Sequence, residues 1–485
     1  MEYKNYINGV WVSSKTGKKF ESLNPATEEV IGKFQKSDRE DVRKAVLSAK
    51  NAFPAWRDIP APKRAEYLWK IRDLLIKEKE RLARLEVKEM GKVISEARGD
   101  VQEAIDVFEY MAGEGRRLFG NTTKSELPNK FAMTVRNPIG VVGLIAPWNF
   151  PIAIPAWKIA PALICGNTIV FKPSSDTPLC AIELIKIIEK AGIPRGVVNL
   201  ITGSGEDVGD EIIRNKDIYA VSFTGSKATG EYVLKNAGIK KVGLELGGKN
   251  VIIVMDDANL DLAVSGVLFG AFGTTGQRCT ATSRVIVHDK IKKRFETELL
   301  KRIKKLKIGN GISSDVGPLI NKSALEKSIK YISIGKKEGA KLLCGGKPRR
   351  INGKGFFFEP TVFTNCRSGM KICQEEIFGP VLSILGVKSF DEAVKVANGV
   401  EYGLSSAIYT ENMNYAFQAI EKLETGLTYI NSSTIGSEVH LPFGGVKGTG
   451  NGTREAGILG IEEFSEIKTV YFDYSGKLQK AQGLK

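Results

Sequence analysis

At 485 residues, 42% hydrophobic and 26% charged, the chain has the profile of a globular protein too long for one ordinary core, so two or three domains are expected. Its formal charge is +16, but the lysines are interleaved with glutamates, as in Ile76-Lys-Glu-Lys-Glu-Arg81, which reads as a solvated surface and argues against a nucleic-acid partner. Six cysteines without a Cys-x-x-Cys pair, and only two histidines, argue against a disulfide framework, a Cys–His protease and a metal site. With no signal peptide in Met1-Glu-Tyr-Lys-Asn-Tyr6, a reducing cytoplasm is the expected location.

Residues 6–12 alternate around Asn8-Gly9, which predicts a strand pair, and Asn24-Pro-Ala-Thr27 predicts a turn. From Asp38 to about Gly115, apolar residues recur at three- and four-residue spacing (Val42, Ala45, Val46, Ala49, then Leu68, Ile71, Leu74, Leu75). These are amphipathic helices, divided at Pro60-Ala-Pro62. Residues 120–138 break that pattern and read as an extended ribbon that packs on another subunit. The run 141–171 is almost uncharged, but Pro147, Pro151, Pro155, Pro161 and Lys158 argue against a membrane span. It reads instead as a buried strand (141–146), the loop Pro147-Trp-Asn-Phe-Pro151, a helix and a second buried strand (168–172). Asn149 then lies at the carboxyl end of a parallel strand, where α/β sheets place ligands. The plainer reading is a loop amide that satisfies its own backbone.

A helix (180–191) and a strand (197–201) precede the loop Thr202-Gly-Ser-Gly-Glu-Asp-Val-Gly209. A strand at 219–223 precedes Thr224-Gly-Ser-Lys-Ala-Thr-Gly230, which opens another helix. Neither loop has the spacing Gly-x-Gly-x-x-Gly. Two such loops in succession within a strand–helix series still suit a pyrophosphate at helix N-termini and point to a dinucleotide fold. Leu244-Glu-Leu-Gly-Gly-Lys249 places the carboxylate of Glu245 among apolar residues. In Gly273-Thr-Thr-Gly-Gln-Arg-Cys-Thr-Ala-Thr282, Gly273 and Gly276 allow a tight backbone approach around Cys279, and Arg278 favours a thiolate. Together they suggest a nucleophilic thiol with a carboxylate base. Further on, a strand at 285–287 ends near His288, read as structural, and a basic helix spans 291–306. Gln374-Glu-Glu-Ile-Phe-Gly-Pro380 is a polar turn before a strand at 381–387. Loops at Asn431 and Pro442-Phe-Gly-Gly-Val-Lys-Gly448 are expected to close over a site, with His440 as a loop residue. The end, 467–474, is strand-like and leads into a basic tail.

These residues resemble the aldehyde dehydrogenase superfamily over nearly the whole chain. Pro147-Trp-Asn-Phe-Pro151, Phe171-Lys-Pro173, Phe223-Thr-Gly-Ser226, Leu244-Glu-Leu-Gly-Gly248, Gly276-Gln-Arg-Cys279, Glu375-Glu-Ile-Phe-Gly-Pro380 and Pro442-Phe-Gly-Gly445 stand in the family's order. The resemblance implies an α/β fold with a modified Rossmann cofactor domain (1–119 and 139–246), an α/β catalytic domain (247–461) and a small β oligomerisation element (120–138 and 462–485). It also implies a dimer or tetramer and NAD(P)-dependent oxidation of an aldehyde to a carboxylic acid. Cys279 would attack the aldehyde carbon. The Asn149 amide and the Cys279 backbone N–H would form the oxyanion hole. Glu245 would activate the water that hydrolyses the thioester. For the cofactor, the resemblance assigns Lys172 to the adenosine ribose, Glu376 to the nicotinamide ribose, and Gly225 and Ser226 to the pyrophosphate. Gly205 and Gly209 would line the adenine side, with Trp148, Phe223, Leu246 and Phe378 around the cofactor.

NAD-preferring members commonly carry glutamate three residues after that lysine. Here the position is Ser175, which removes repulsion toward a 2′-phosphate, so NADP is the expected cofactor and NAD its rival. Gly276-Gln-Arg-Cys-Thr-Ala-Thr282 and Lys172-Pro-Ser-Ser-Asp-Thr-Pro178 look most like 2-oxoglutarate-semialdehyde (2,5-dioxopentanoate) dehydrogenases. Glyceraldehyde, lactaldehyde and succinate semialdehyde are the alternatives. Phe150 is placed with the substrate, and Arg278 either pairs with a distal carboxylate there or serves the fold. A dehydrogenase that passes the acyl group to coenzyme A should lack a usable Glu245. A non-catalytic basic binding protein would not require Cys279, Glu245 and Asn149 together.

Overall fold

Strands covered on both faces are rich in apolar residues, and the run after Pro138 supplies two of them. Val141–Ile145 and Thr168–Lys172 are buried throughout and pair in parallel, Val141 opposite Thr168 and Ile145 opposite Lys172. The intervening prolines fall in the loop and in the helix Ala153–Cys165, whose C-cap Gly166 has φ +93°. In the computed structural model, which describes residues 1–482, this pair is the middle of a seven-stranded sheet. Lys241–Glu245 and Ala220–Thr224 extend it on one side, and Val198–Leu200, Asn5–Ile7 and Val10–Val12 on the other. The pairing is parallel up to Val198–Leu200, and the N-terminal pair turns antiparallel at Asn8-Gly9.

A second seven-stranded sheet runs in the order Lys341–Cys344, Thr361–Thr364, Val381–Val387, Thr282–His288, Asn250–Val254, Ser405–Tyr409 and Leu427–Ile430. All its pairs are parallel except the one with Lys341–Cys344. Glu245 ends the edge strand of the first sheet and Asn250 starts a central strand of the second. The chain therefore passes from the first sheet to the second through residues 246–249. Cys279 lies three residues before Thr282–His288, at the same junction.

The charged region after Asp38 forms three helices, Arg39–Asp58, Ala61–Glu89 and Ile94–Glu114. Asp38 caps the first by accepting from the Glu40 and Asp41 N–H groups, and Pro60 separates it from the second. The loop expected after Thr202 is helical from Gly205: Gly205–Gly209 is a wide π turn that runs into Asp210–Arg214. Ser465–Asp473, Lys130–Pro138 and Thr122–Lys124 form a separate antiparallel sheet, in register from Ser465 opposite Pro138 to Asp473 opposite Lys130. Phe131, Ile467, Tyr471 and Phe472 are exposed on it. The last three residues of the expected C-terminal element, 483–485, lie outside the described residues.

One buried ion cluster ties the helices to the loop after Ile145. Lys92 Nζ lies 2.6 Å from Glu86 and 2.9 Å from Asp100, all three side chains fully buried. Asp100 also accepts the Ala153 N–H at 2.6 Å, and the ammonium sits 3.9 Å from the centre of the Phe150 ring. Burial drives the Glu86 carboxyl well above its usual range. Removing the cation leaves two buried carboxyls without a counter-charge, so Lys92→Met should destabilise the protein by about 3–5 kcal/mol at pH 8. The deficit should shrink as the pH falls toward 5, because a carboxyl held above its usual range gives up its unpaired charge on protonation, and urea midpoints at the two pH values measure both effects.

Candidate active site

The nucleophile loop is shaped by residues that dislike its backbone. Thr274 and Thr275 both adopt the left-handed region, φ +49° and +57°, which β-branched side chains rarely enter. Gly273 does not need its freedom, with φ −54°. Gly276 does: its φ is +70°, and a Cβ there would lie 2.3 Å from the Gly379 carbonyl oxygen. Glu96 holds the strained turn. Its two carboxylate oxygens accept the Thr274 N–H at 2.8 and 2.9 Å and the Thr274 hydroxyl at 3.1 Å, and one lies 3.2 Å from the Arg278 guanidinium. Thr275 donates to the Gly317 carbonyl at 3.0 Å, and the Asn250 amide donates to the Cys279 carbonyl at 2.7 Å.

Cys279 emerges from this turn where two cavities meet. The smaller, about 130 Å³, is lined by Phe150, Trp157 and Phe443 and by the polar Glu103, Arg278 and Ser437. The larger, about 290 Å³, is lined by Trp148, Asn149, Gly225, Ser226, Glu376 and Phe378. Cys279, Thr224, Leu246 and Ile154 line both. The expectation that Arg278 makes a thiolate is corrected here. Burial, and after it the carboxyls of Glu245 and Glu376, push the thiol up to about 12, and the opposing pulls of the Thr280 N–H and Arg278 are smaller.

Glu245 lines the smaller cavity, 4% exposed, and neither of its carboxyl oxygens has a hydrogen-bond partner among the described residues. Burial, then Glu455, raises it well above the usual carboxylate range, against the pull of Lys158. A Cβ on Gly444 would lie 2.5 Å from its Oε1, so glycine there admits the carboxyl. Glu455 pairs with Lys158, which also donates to the Ser222 hydroxyl at 2.8 Å, and Glu463 beyond is pushed up to about 7 by burial. Sequence reasoning missed Glu455, Glu463 and Glu103. Lys158 was a signal, being the single charge in the run 141–171.

Asn149 is buried, and its side-chain amide makes no hydrogen bond within the described residues, so it does not satisfy its own backbone. The Trp148 and Phe378 rings meet edge-on at 5.4 Å, and Phe378 is held at φ +59°. Glu376 accepts the Gly248 N–H at 2.9 Å, and burial raises its carboxyl. Ser226 caps the helix Lys227–Asn236 by accepting from the Thr229 N–H. Phe223 does not reach the cavity; it packs beneath Gly225, whose Cβ would strike its ring at 2.5 Å. Lys172, Ser175, Gly205 and Gly209 also lie off this cavity. Lys172 donates to the Pro173 carbonyl at 2.9 Å, its Cδ 3.8 Å from where a Cβ on Gly209 would stand, and burial pushes it down to about 8. Ser175 donates to the Gly203 carbonyl at 3.1 Å. Asn431 closes over neither cavity: its side chain spans both backbone groups of Thr410 at 3.0 Å, and Ser437 and Phe443 line the cavity instead. Arg278 lines the smaller cavity and also pairs with Glu96. Lys249 is buried with no partner on its Nζ, and burial pushes it down to about 7.

Residues 11–470 match the model of the aldehyde dehydrogenase family. The chain belongs to that family. Among its relatives, the alpha-ketoglutaric semialdehyde dehydrogenase of Bacillus subtilis is 43% identical over 97% of this chain and 98% of its own length. The 2,5-dioxopentanoate dehydrogenase of Saccharolobus solfataricus is 40% identical over 95% and 97%. Among solved structures, betaine aldehyde dehydrogenase from Staphylococcus aureus in complex with NAD+ matches at a TM-score of 0.96 and 38% identity, covering 100% of this chain and 97% of that one.

For this aldehyde dehydrogenase, a thiol pushed up to about 12 means that the free enzyme holds Cys279 protonated at neutral pH. Its alkylation by iodoacetamide should rise roughly tenfold per pH unit from pH 7 to pH 9, without a plateau. Mass spectrometry of the Cys279 peptide measures it; a plateau below pH 8 would show a resting thiolate.

Proposed function

We propose that the enzyme oxidises 2-oxoglutarate semialdehyde (2,5-dioxopentanoate) to its dicarboxylate, with NADP preferred over NAD. The observation that carries this reading is the position of Cys279, open to a small cavity with Arg278 on its wall and to a larger one suited to a nicotinamide. The named relatives include both semialdehyde and betaine aldehyde dehydrogenases, so likeness alone does not select the substrate. The guanidinium of Arg278 favours an anionic aldehyde over a cationic one.

The larger cavity fits a dinucleotide. It offers a fixed carboxylate at Glu376, an edge-on aromatic pair, a bare backbone at Gly225 and the start of the helix Lys227–Asn236. In this reading Trp148, Gly225, Ser226, Leu246, Glu376 and Phe378 hold the nicotinamide half. Lys172, Ser175, Gly205 and Gly209 hold the adenosine half. Ser175 is small and neutral, and Lys172 supplies the positive charge for a 2′-phosphate, with Asp176, held by the Asn321 amide at 3.0 Å, as the carboxyl beside it.

The chemistry begins when the Cys279 proton passes to water and the sulfur bonds to the aldehyde carbon, turning the carbonyl into an alkoxide. The free amide of Asn149 and the Cys279 N–H donate to that oxygen. When bound, the nicotinamide supplies the hydride acceptor. The acyl group is then a thioester on Cys279. Glu245 takes a proton from water, the water oxygen bonds to the acyl carbon, and the carbon–sulfur bond breaks to release the acid. Burial strengthens Glu245 as a base once it is ionised. Glu245 also favours hydrolysis over transfer to coenzyme A.

Three structural readings accompany this one. The two large sheets mark a cofactor domain (1–119 and 139–246) and a catalytic domain (247–461). The small sheet, with Phe131, Ile467, Tyr471 and Phe472 exposed, is the surface through which the enzyme forms a homo-oligomer. Six free cysteines fit a reducing cytoplasm, and among the described residues no helix is long and apolar enough to cross a membrane.

Initial rates with 2-oxoglutarate semialdehyde, followed by nicotinamide absorbance, should favour NADP over NAD. Ser175→Glu should move the ratio toward NAD by roughly tenfold, the scale of one like-charge contact. An unmoved ratio would place residue 175 away from the ribose. Negligible rates with both cofactors would redirect the substrate to glyceraldehyde, lactaldehyde or succinate semialdehyde.

A further inference from the structure

Glu103 has no place in the chemistry above, yet it lines the same small cavity as Cys279 and Arg278. It stands on the helix Ile94–Glu114, one turn after Asp100 and one turn before Asp106. Among the described residues its carboxyl has no hydrogen-bond or ion-pair partner. Four charged groups face it: Asp100 and Asp106 from its own helix, Lys92 from the segment before that helix, and Arg278 from the nucleophile loop. Both cations are already engaged, Lys92 by Glu86 and Asp100, and Arg278 by Glu96. Burial and the Asp100 carboxyl push Glu103 up to about 8, so at neutral pH it is an O–H donor.

The rest of that wall is apolar at Phe150, Ile154, Trp157 and Phe443, with Glu245 and Glu455 as its other carboxyls. An aldehyde with a plain hydrocarbon end would leave the Glu103 carboxyl unmatched. We propose that Glu103 is a specificity-determining residue: with Arg278 it holds the far carboxylate of an anionic aldehyde, the Glu103 carboxylic acid donating one hydrogen bond and the Arg278 guanidinium another. This rests on the substrate reading above and adds a direction to it. Once ionised, Glu103 repels the carboxylate it had held, so discrimination for the anionic aldehyde falls as the pH rises.

The test is KM for 2-oxoglutarate semialdehyde and for propionaldehyde, measured from pH 6.5 to 9.5 at saturating cofactor, in the wild type, Glu103→Gln and Glu103→Leu. Titration of Cys279 and Glu245 acts on both aldehydes and cancels in the ratio of the two KM values. In the wild type that ratio, anionic over neutral, should climb about tenfold through pH 8. In Glu103→Gln, whose amide donates at every pH, it should stay flat near the neutral-pH value. In Glu103→Leu it should be flat and about tenfold higher at pH 7. A ratio that climbs in Glu103→Gln as in the wild type would overturn the proposal, as would one that neither variant moves. If the wild type oxidises propionaldehyde but not 2-oxoglutarate semialdehyde, the substrate reading fails and the proposal fails with it.

Discussion

The carboxylate of Glu96 holds together the turn on which the rest of the site depends. Two consecutive threonines in the left-handed region cost about 1–3 kcal/mol each, and they persist only where the surroundings dictate them. Glu96 does so from another part of the chain, taking the Thr274 N–H and hydroxyl and facing the Arg278 guanidinium. The turn delivers Cys279 to the meeting point of two cavities. It also lets Gly276 lie against Gly379, which brings Glu376 and Phe378 to the cofactor side. Positioning of nucleophile, substrate wall and cofactor wall thus traces back to one set of hydrogen bonds.

Electrostatics then divide the labour. Both reactive groups are held away from their charged forms in the resting enzyme, the partly exposed thiol by desolvation and by the carboxyls around it, Glu245 by burial and Glu455. A thiol kept protonated and a base kept dry are ready for a substrate and do little without one. Lys158 keeps one compensating charge beside Glu455, so that Glu245 is not crowded by uncompensated carboxylates.

Much of this was legible in the sequence where local chemistry decides the outcome. The proline-broken apolar run became two buried strands and a helix, because short, mostly apolar runs suit strands covered on both faces. The helices after Asp38 follow their apolar spacing and begin and end at a cap and a proline. Cys279, Glu245 and Asn149 were recognisable because each sits in a distinctive local string, and the structure brings all three to the linked cavities. Contacts between distant segments were not legible. Glu96 reads in sequence as one more charge on an amphipathic helix, although its partners lie 178 and 182 residues away. Arg278 stands next to Cys279 in sequence, which suggests a thiolate, yet burial outweighs the adjacent charge. Gly276 takes the left-handed backbone its residue type permits, and Thr274 and Thr275 take it as well, because Glu96 supplies what the local sequence lacks.

The central claim is that Cys279 carries the acyl group and Glu245 releases it. Intact-mass analysis of Glu245→Gln, mixed with 2-oxoglutarate semialdehyde and NADP, tests it most directly. The account predicts one reduced cofactor per subunit, a stalled second turnover and an acyl adduct that maps to the Cys279 peptide. Continued turnover with no adduct on Cys279 would contradict it.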